Sequence, residues 1–415
     1  MRYSLILFLI PILLFSKELT LSGALANALK SNQDLALMEH DYQRLREAEQ
    51  SSKLDFFGKV EAKVEMNHYN TPRTLMPLSP PISANVHTSD TLWGAHLMYT
   101  VPLFDGFATM KEIEISHLNV QMQQKRRFMA EGMVRFNVKA TYVKLVSLQK
   151  QLRLNNDFIL SAQHFLEEVA LKKSLGKASE LDVLQAKVAL SAYENKAVVL
   201  NAEYQSLKSY LAFLMAQESS DFEVEELDVE GMPLVHRDDL ENLSSLVLAK
   251  IEEQKKEHEY EKSKAAYYPK VEAMAVRSHI YGEDGNDEAI YQLGVSFKWL
   301  LLDFGKRGHA VQKSQIDMLK ARQEHSKKKL EILKTLEEVK QKWLKFESLQ
   351  KRLEEEWRLK KHIAQIETVK YDEGRSTALD RLKAQNDEAN TLLALIDAGY
   401  NQMIAGFEWA YVMEQ

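Results

Sequence analysis

The chain has 415 residues, of which 45% are hydrophobic and 27% are charged, and its formal net charge is −6. The absence of cysteine excludes disulfides, thiolate chemistry and iron–sulfur clusters, and the acidic charge disfavours a general nucleic-acid binder. No proline occurs between Leu103 and Met232 or after Pro269. Two very long stretches therefore lack the strongest helix breaker, which favours long helices over the frequent turns of an α/β enzyme.

Residues 1–16 predict a secretory signal peptide. One basic residue, Arg2, precedes an apolar run from Leu5 to Phe15, and the small Ser16 follows. The run is too short to cross a bilayer, which needs about 20 residues. A buried N-terminal helix is the alternative, although Pro11 in the middle of the run argues against it. An exported chain without cysteine is typical of a bacterial envelope protein.

The remainder of the chain is a tandem duplication. Residues 56–62 resemble residues 267–273, and residues 176–184 recur at 374–382 with an offset of 198. The two repeats together are expected to form one intertwined domain. The predicted division is a signal peptide over 1–16, a first repeat over 17–215, an acidic linker over 216–235 and a second repeat over 236–415.

Each repeat predicts a helix, a hairpin, a very long helix, a tight turn and a further long helix. Residues 59–69 alternate strictly between apolar and charged side chains, which predicts a strand with one apolar and one charged face. Residues 93–101 and 291–299 alternate in the same way. The fourth strand, 270–281, alternates less cleanly because Arg277 and His279 occupy apolar positions.

The predicted hairpins suggest a membrane location. Two isolated hairpins do not make a stable sheet in water, and no other strand candidate completes one. In an exported chain such strands suit a transmembrane β-barrel built from several chains, with a soluble half-buried sheet as the alternative. The charged face would line the lumen through Glu61, Lys63 and Glu65. The residues expected to face lipid or its interface are Trp93, Tyr99, Tyr291, Phe297 and Trp299.

The longest predicted helices cover residues 107–173 and 306–371, and each would be about 100 Å long. The helices that follow carry apolar residues at steps of three and four over 183–214 and 379–407, which is typical of coiled-coil seams. The two seams use different faces of their helices. Unequal seams favour helices packed on both flanks, as in a cylinder, with a long antiparallel hairpin as the alternative.

Three motifs now point to a known family. They are Val-Pro-Leu-Phe-Asp-Gly at 101–106, Gly-x-x-Ser-x-x-Asp at 176–182 and Tyr-x-x-Gly followed by Leu-Asp-x-Leu within 371–382. With the export signal and the duplication, they resemble the TolC family of outer-membrane efflux proteins over nearly all of the mature chain. The resemblance implies a mainly α fold with a small β part. In it, a homotrimer forms a coiled-coil tunnel, and each chain gives four strands to one twelve-stranded transmembrane β-barrel.

The resemblance also implies a function and a place in the cell. The chain would be a passive exit duct of an efflux or type I secretion system in the outer membrane, with helices extending into the periplasm. Its implied partners are two further copies, a periplasmic adaptor (membrane fusion) protein, an inner-membrane transporter and outer-membrane lipid, but no nucleic acid. Cargo and transporter class stay open.

A gate at the periplasmic helix turns is implied as well. Tyr371 falls at the family's tyrosine position, and Asp380 falls at an inward aspartate whose counterpart in the first repeat is Asp182. The family's arginine is displaced, with Arg375 as the nearby candidate, and Lys383 replaces a second aspartate. Both aspartates also fit helix-capping boxes, so a purely structural role is the alternative.

No catalytic, cofactor-binding or metal-binding residue is predicted. The twelve histidines show no spacing of i and i+4, and the chain has neither a phosphate-binding loop nor a nucleophile elbow. The alternative function is a soluble periplasmic coiled-coil scaffold or adaptor. The aromatic strand face separates the two hypotheses, because a soluble scaffold has no reason to keep such a face in both repeats.

Overall fold

The computed structural model describes residues 18–78, 86–227 and 240–414. The predicted signal peptide and residues 228–235 of the predicted linker lie outside the described residues. The first elements are β1 (Glu18–Leu19), α1 (Leu21–Ser31), α2 (Gln33–Leu54), β2 (Lys59–Thr74), β3 (Thr88–Phe104), α3 (Ala108–Ser174) and α4 (Glu180–Leu214). The elements that follow are β4 (Glu223–Val224), α5 (Ser244–Ser263), β5 (Lys270–Gly282), β6 (Asp287–Lys298), α6 (Lys306–Asp372) and α7 (Ala378–Glu414).

The predicted mainly helical fold with a small β part is confirmed. Helices α3 and α6 each contain 67 residues, and neither contains a proline. Strand β2 continues to Thr74, beyond the predicted end at Tyr69. Strand β6 ends at Lys298, so Trp299 lies one residue past the strand in which it was predicted.

The described chain forms two compact units, and each unit takes segments from both repeats. The first unit contains the chain up to Leu37, the segment Phe128–Ser244 and the chain from Leu330 onward. The second unit contains Met38–Arg127 and Ser245–Lys329. The sequence repeat therefore does not divide the chain into two separate folding units, because each unit contains segments of both repeats.

The core of the first unit is built from α1, α3, α4 and α7. Small residues on α1, Ala24 and Ala28, are fully buried, as is the α3 segment around Val143. The predicted coiled-coil seams of α4 and α7 pack against these residues. Their buried members in this core are Leu200, Tyr204, Leu211 and Leu214 on α4, and Tyr400, Met403 and Phe407 on α7.

A buried tyrosine attaches the two short strands to this core. Strands β1 and β4 pair in parallel, with Leu19 opposite Val224. The Tyr142 hydroxyl on α3 donates a hydrogen bond shared by the carbonyl oxygens of Leu19 at 2.6 Å and Glu225 at 3.1 Å. Burial raises the pKa of Tyr142 to about 12, so the hydroxyl keeps its proton at physiological pH.

We expect Tyr142→Phe to loosen the β1–β4 pair without disturbing the helices. The change removes the hydroxyl donor from both carbonyl oxygens, at a cost of about 1–2 kcal/mol. The amide of Glu225 donates to the Leu19 carbonyl at 3.2 Å. Its hydrogen exchange should accelerate about 5- to 30-fold. Tyr210→Phe, on the exposed side of α4, is the control; equal acceleration in both variants would contradict the prediction.

The second unit contains one four-stranded antiparallel sheet in the order β2-β3-β5-β6. The central β3–β5 pair joins the hairpins of the two repeats, with Tyr99 opposite Ala275. At the strand-to-helix joints, Asp105 accepts from the amide of Thr109 at 2.7 Å and Asp303 accepts from the amide of Arg307 at 2.8 Å. Both aspartates thus cap the helices that leave the sheet.

Histidine–carboxylate contacts join the helical segments of this unit. His117 on α3 contacts Glu49 on α2 at 3.2 Å, and His325 on α6 contacts Glu253 on α5 at 2.9 Å. Apolar packing of α5 on α3 accompanies them, where Ile251 is buried against Leu118 and Met122.

Candidate functional site

Two turns of the first unit carry the residues predicted for the gate. Helix α3 ends before Gly176 and α6 ends before Gly374, and both glycines have positive φ values, 73° and 74°. The amides of Lys177 and Arg375 then donate back to the carbonyls of Lys172 and Lys370 at 2.8 and 2.7 Å. This is the hydrogen-bond pattern of a glycine-terminated helix.

The predicted aspartates cap the helices that follow these turns. Asp182 accepts from the amide of Ser179 at 2.8 Å, and the amide of Asp182 donates to the Ser179 hydroxyl at 3.2 Å. Asp380 accepts from the Thr377 hydroxyl at 2.7 Å and its amide donates to that hydroxyl at 3.2 Å. The Thr377 hydrogen bond also holds the pKa of Asp380 below its ordinary value. The capping role is therefore present at both positions.

Tyr371 lies in an aromatic and cationic cluster that links α3 with α6 and α7. We call Phe165, Glu168, Lys172, Tyr371 and Arg381 the turn cluster. The Tyr371 ring meets Phe165 edge-on, with centroids 5.5 Å apart, and the Lys172 ammonium lies 4.4 Å from its centroid. Burial raises the pKa of Tyr371, and the nearby Glu168 and Asp182 carboxylates add to the rise.

Arg381 is the cation at the centre of the turn cluster. Its guanidinium lies 4.4 Å from the Phe165 centroid and 5.3 Å from that of Tyr371. It also contacts the carboxylates of Glu168 at 3.5 Å and Asp372 at 3.3 Å. The Arg381 side chain is only 12% exposed, whereas Glu168 and Asp372 are 37% and 56% exposed, so the aromatic contacts are better shielded from solvent than the ion pairs. Three helices of the unit thus converge on one guanidinium.

The sequence analysis missed Arg381 and selected Arg375 as the arginine near Tyr371. In the structure Arg375 is exposed and contacts Glu373 at 3.2 Å. A signal for Arg381 was present: a cation in the first turn of a helix opposes the helix dipole, which makes its position unfavourable unless another contact compensates. The equivalent residue of the first repeat is the apolar Val183. Comparison of the two repeats therefore shows that an apolar position carries a cation in the second repeat.

The other predicted gate residues lie together beside the second turn. Arg375, Asp380 and Lys383 line a groove of ≈ 480 Å³ with Glu367. Glu367 accepts from the Lys370 ammonium and the Ser376 hydroxyl, both at 2.7 Å, and the Lys370 contact is the main reason for its lowered pKa. The charge of Lys383 also helps to lower the pKa of Asp380. This groove contains both signs of charge.

The predicted lumen residues lie on one polar face of the sheet in the second unit. Lys63 contacts Glu65 at 2.6 Å, and His96 on β3 contacts Glu65 at 3.2 Å. The other ring nitrogen of His96 lies 2.7 Å from the Ser278 hydroxyl on β5. Glu61 belongs to the same face and contacts Lys59 at 2.9 Å. Polar contacts thus cross three strands.

The opposite face of the sheet is apolar and exposed. Trp93, Tyr99, Tyr291 and Phe297, all predicted to face lipid, lie on this face. Exposure of its large residues ranges from 42% at Tyr99 to 86% at Leu293. Those residues are Val60, Val64, Met66, Trp93, Leu97, Tyr99, Tyr281, Tyr291, Leu293, Val295 and Phe297. Trp299, past the strand end, instead donates its indole N–H to the Tyr267 carbonyl at 3.1 Å.

Two further searches of the described residues bear on possible chemistry. No helix there is both long enough and apolar enough to cross a lipid bilayer. No group of three or more histidine, aspartate or glutamate side chains in those residues is arranged to hold a metal ion.

Comparison with known proteins identifies the family. The family pattern described as outer membrane efflux protein matches residues 24–216 and again residues 237–406. The chain belongs to the outer membrane efflux protein family. Because the pattern matches twice, the chain carries the family unit in two copies, as its internal repeat indicates. None of the curated proteins compared with the chain matches it in sequence.

Solved structures share the fold of this outer membrane efflux protein at low sequence identity. CusC, described as undergoing transmembrane channel formation, has a TM-score of 0.82 and 12% identity, over 95% of this chain and 91% of CusC. The outer membrane protein VceC of Vibrio cholerae has a TM-score of 0.78 and 16% identity, covering 95% of this chain and 94% of its own. The CmeC outer membrane channel of Campylobacter jejuni has a TM-score of 0.80 and 14% identity, over 95% of this chain and 85% of CmeC.

Proposed function

We propose that this outer membrane efflux protein is one third of a passive exit duct. Three copies would join their sheets edge to edge into a twelve-stranded barrel, and their helices would continue as a tunnel through the periplasm. The duct itself performs no catalysis. An inner-membrane transporter supplies the energy, and a periplasmic adaptor connects the transporter to the duct. The family membership and the fold shared with outer-membrane channels support this proposal.

The contrast between the two sheet faces is the observation that carries the proposal. On the apolar face, the apolar residues extend along β6 from Ala289 to Phe297, eight residue steps or about 26 Å. A strand tilted by about 40° would cover about 20 Å of bilayer with this length, close to the apolar band of outer-membrane barrels, which is about 25 Å tall. The opposite face carries Glu61, Lys63 and Glu65, which suits an aqueous lumen.

The sheet edges favour assembly from several copies. Within the described residues β2 pairs only with β3, and β6 pairs only with β5. Backbone groups at such edges cannot remain unpaired in lipid. The direction of β6 is antiparallel to that of β2, so the β6 edge of one copy can accept the β2 edge of the next. This head-to-tail pairing closes into a ring.

We further propose that the turn cluster holds the periplasmic end of the duct closed. Tyr371 and Arg381 bind the second-repeat turn to α3 of the first repeat. An adaptor that favours the separated arrangement of these helices would shift the duct to its open state. Three copies each of Asp380 and Lys383 would surround the opening with mixed charge, which selects less strongly for cations than rings of aspartate alone.

Conductance of the purified protein tests the proposed function. The protein should fractionate with the outer membrane, cross-link as a trimer and form channels in a planar bilayer. The channels should conduct poorly while the periplasmic end is closed. A soluble periplasmic monomer without channel activity would contradict the duct. It would support a periplasmic scaffold instead, although such a protein would have to cover the apolar sheet face in another way.

A further inference from the structure

An arginine lies on the otherwise apolar face of the sheet. Arg277 on β5 pairs across the sheet with Leu97 on β3 and Tyr291 on β6, so its side chain emerges between two exposed apolar residues. Its guanidinium lies 5.4 Å from the centroid of the Tyr291 ring. None of the described carboxylates forms an ion pair with it. In the membrane proposed above, this charge needs an anionic partner, because ionised groups there pair with one another or with polar groups.

The nearest polar side chains of the same face, His279 and Asp287, are partners of each other. His279, two residues further along β5, has its Nε2 atom 2.5 Å from the Asp287 carboxylate. Its ring also stacks on Tyr281, with centroids 4.4 Å apart. The Asp287 carboxylate is therefore engaged at the hairpin end of the sheet. The local charge that is left without a partner is the positive charge of Arg277.

An apolar groove adjoins Arg277 on the side away from the hairpin. The groove measures ≈ 540 Å³ and has Ala273 and Ala275 of β5 among its lining residues. Bulkier residues of the neighbouring strands, Tyr99 and Leu293 among them, form its sides. Because Ala273, Ala275 and Arg277 alternate along one strand face, the arginine stands at one end of the groove. The volume falls in the range of small-ligand sites, about 300–1,000 Å³.

We propose that this groove and Arg277 bind an anionic phospholipid of the outer leaflet. One acyl chain occupies the groove over Ala273 and Ala275, and the phosphate contacts the Arg277 guanidinium. The guanidinium extends toward the hairpin end of β5 to meet it, as long cationic side chains do near a membrane interface. Charge complementarity identifies the occupant, because the phosphate of an anionic lipid is free to pair with the guanidinium, whereas that of a zwitterionic lipid is offset by its own ammonium group.

Quenching of tryptophan fluorescence by brominated lipid tests this inference, which rests on the proposed membrane location of the sheet. Trp93 lies on the same face, opposite Tyr281, and reports lipid bound nearby. The full-length protein is reconstituted in bilayers that contain brominated phosphatidylglycerol or brominated phosphatidylcholine. We expect phosphatidylglycerol to bind about tenfold more tightly, a ratio equivalent to about 1.4 kcal/mol.

Four variants separate the charge from the groove. Arg277→Gln should abolish the preference for phosphatidylglycerol, whereas Arg277→Lys should keep most of it. Ala275→Phe should also reduce the preference, because it fills the groove while keeping the arginine. Lys63→Gln removes a positive charge from the opposite face and should leave the preference unchanged. Equal quenching by the two lipids in the unmodified protein would overturn the inference.

Two further outcomes separate a bound lipid from free phosphate and from a sheet that lies outside the bilayer. Excess inorganic phosphate should leave the preference intact, and its loss would mean that the site binds free phosphate rather than lipid. If neither brominated lipid quenches the tryptophans, the sheet does not lie in the bilayer and the proposed function itself fails. Cross-linking of the Arg277→Lys variant measures whether a protein changed at this position still assembles into trimers.

Discussion

Leu293→Lys is expected to prevent insertion of the protein into the outer membrane. Leu293 is the most exposed large residue of the apolar sheet face, at 86%, and it pairs with Ala275 near the middle of the apolar band. A lysine at the centre of a barrel's lipid face costs about 2–4 kcal/mol, or about 6–12 kcal/mol over three copies. The measurement is the amount of cross-linked trimer that co-sediments with the outer membrane.

The neighbouring residue provides a matched control. Gln292 pairs with Val276, so it lies on the opposite face of the same strand. Gln292→Lys introduces the same charge one residue away but directs it to the proposed lumen, where water solvates it. We expect near-normal trimer in the membrane for this variant. Equal loss in both variants would indicate that lysine disturbs β6 itself, and equal tolerance would count against a lipid-facing sheet.

Arg381→Ala is expected to have the largest effect on the closed state of the duct. The change removes contacts with Phe165 and Tyr371 and leaves the carboxylates of Glu168 and Asp372 without this partner. The expected cost is about 1–3 kcal/mol, mainly from the two lost cation–π contacts of a side chain that is only 12% exposed. Single-channel conductance in a planar bilayer should rise several-fold, and the thermal midpoint of the helices should fall.

Arg375→Ala is the control for this experiment. The Arg375 side chain is 76% exposed and forms its ion pair with the exposed Glu373, so its loss should change stability by less than about 0.5 kcal/mol. It should leave conductance near that of the unmodified protein. A lower thermal midpoint for Arg381→Ala with unchanged conductance would mean that the turn cluster stabilises the helices without gating the duct.

A double-mutant cycle locates the coupling inside the turn cluster. Tyr371→Leu keeps apolar volume but removes the aromatic face above which the Arg381 guanidinium lies. If that contact matters, the two changes together should cost less than the sum of the single changes, by about 1 kcal/mol. Additive effects would assign the role of Arg381 to its contacts with Glu168 and Asp372 alone.

Local patterns predicted the elements well because short-range physics controls them. The absence of proline predicted α3 and α6 to within one residue at each end, and the steps of three and four predicted most of α4 and α7. Alternation predicted which residues of β2, β3 and β6 share a face, because consecutive side chains of a strand point to opposite sides. The Ser179–Asp182 and Thr377–Asp380 pairs likewise showed their capping geometry in the sequence.

Contacts between distant segments were beyond these patterns. Strand β3 pairs with β5, which lies far along the chain in the other repeat, and alternation alone does not choose a strand's neighbour. Trp299 satisfied the alternation of β6 but lies past its end, where the indole N–H finds the Tyr267 carbonyl. A period-two pattern does not show where backbone pairing stops.

The length, the scarcity of helix breakers and the acidic charge, taken with the repeat, determined a duplicated helical protein with an amphipathic hairpin in each repeat. They also determined which residues of each strand are charged and which are apolar. Tertiary structure decided which cation meets Tyr371, because Arg381 is ten residues away in sequence and reaches it only when α6, α7 and α3 pack together. It also decided that Arg277 stands beside an apolar groove, because the groove exists only once three strands lie in register.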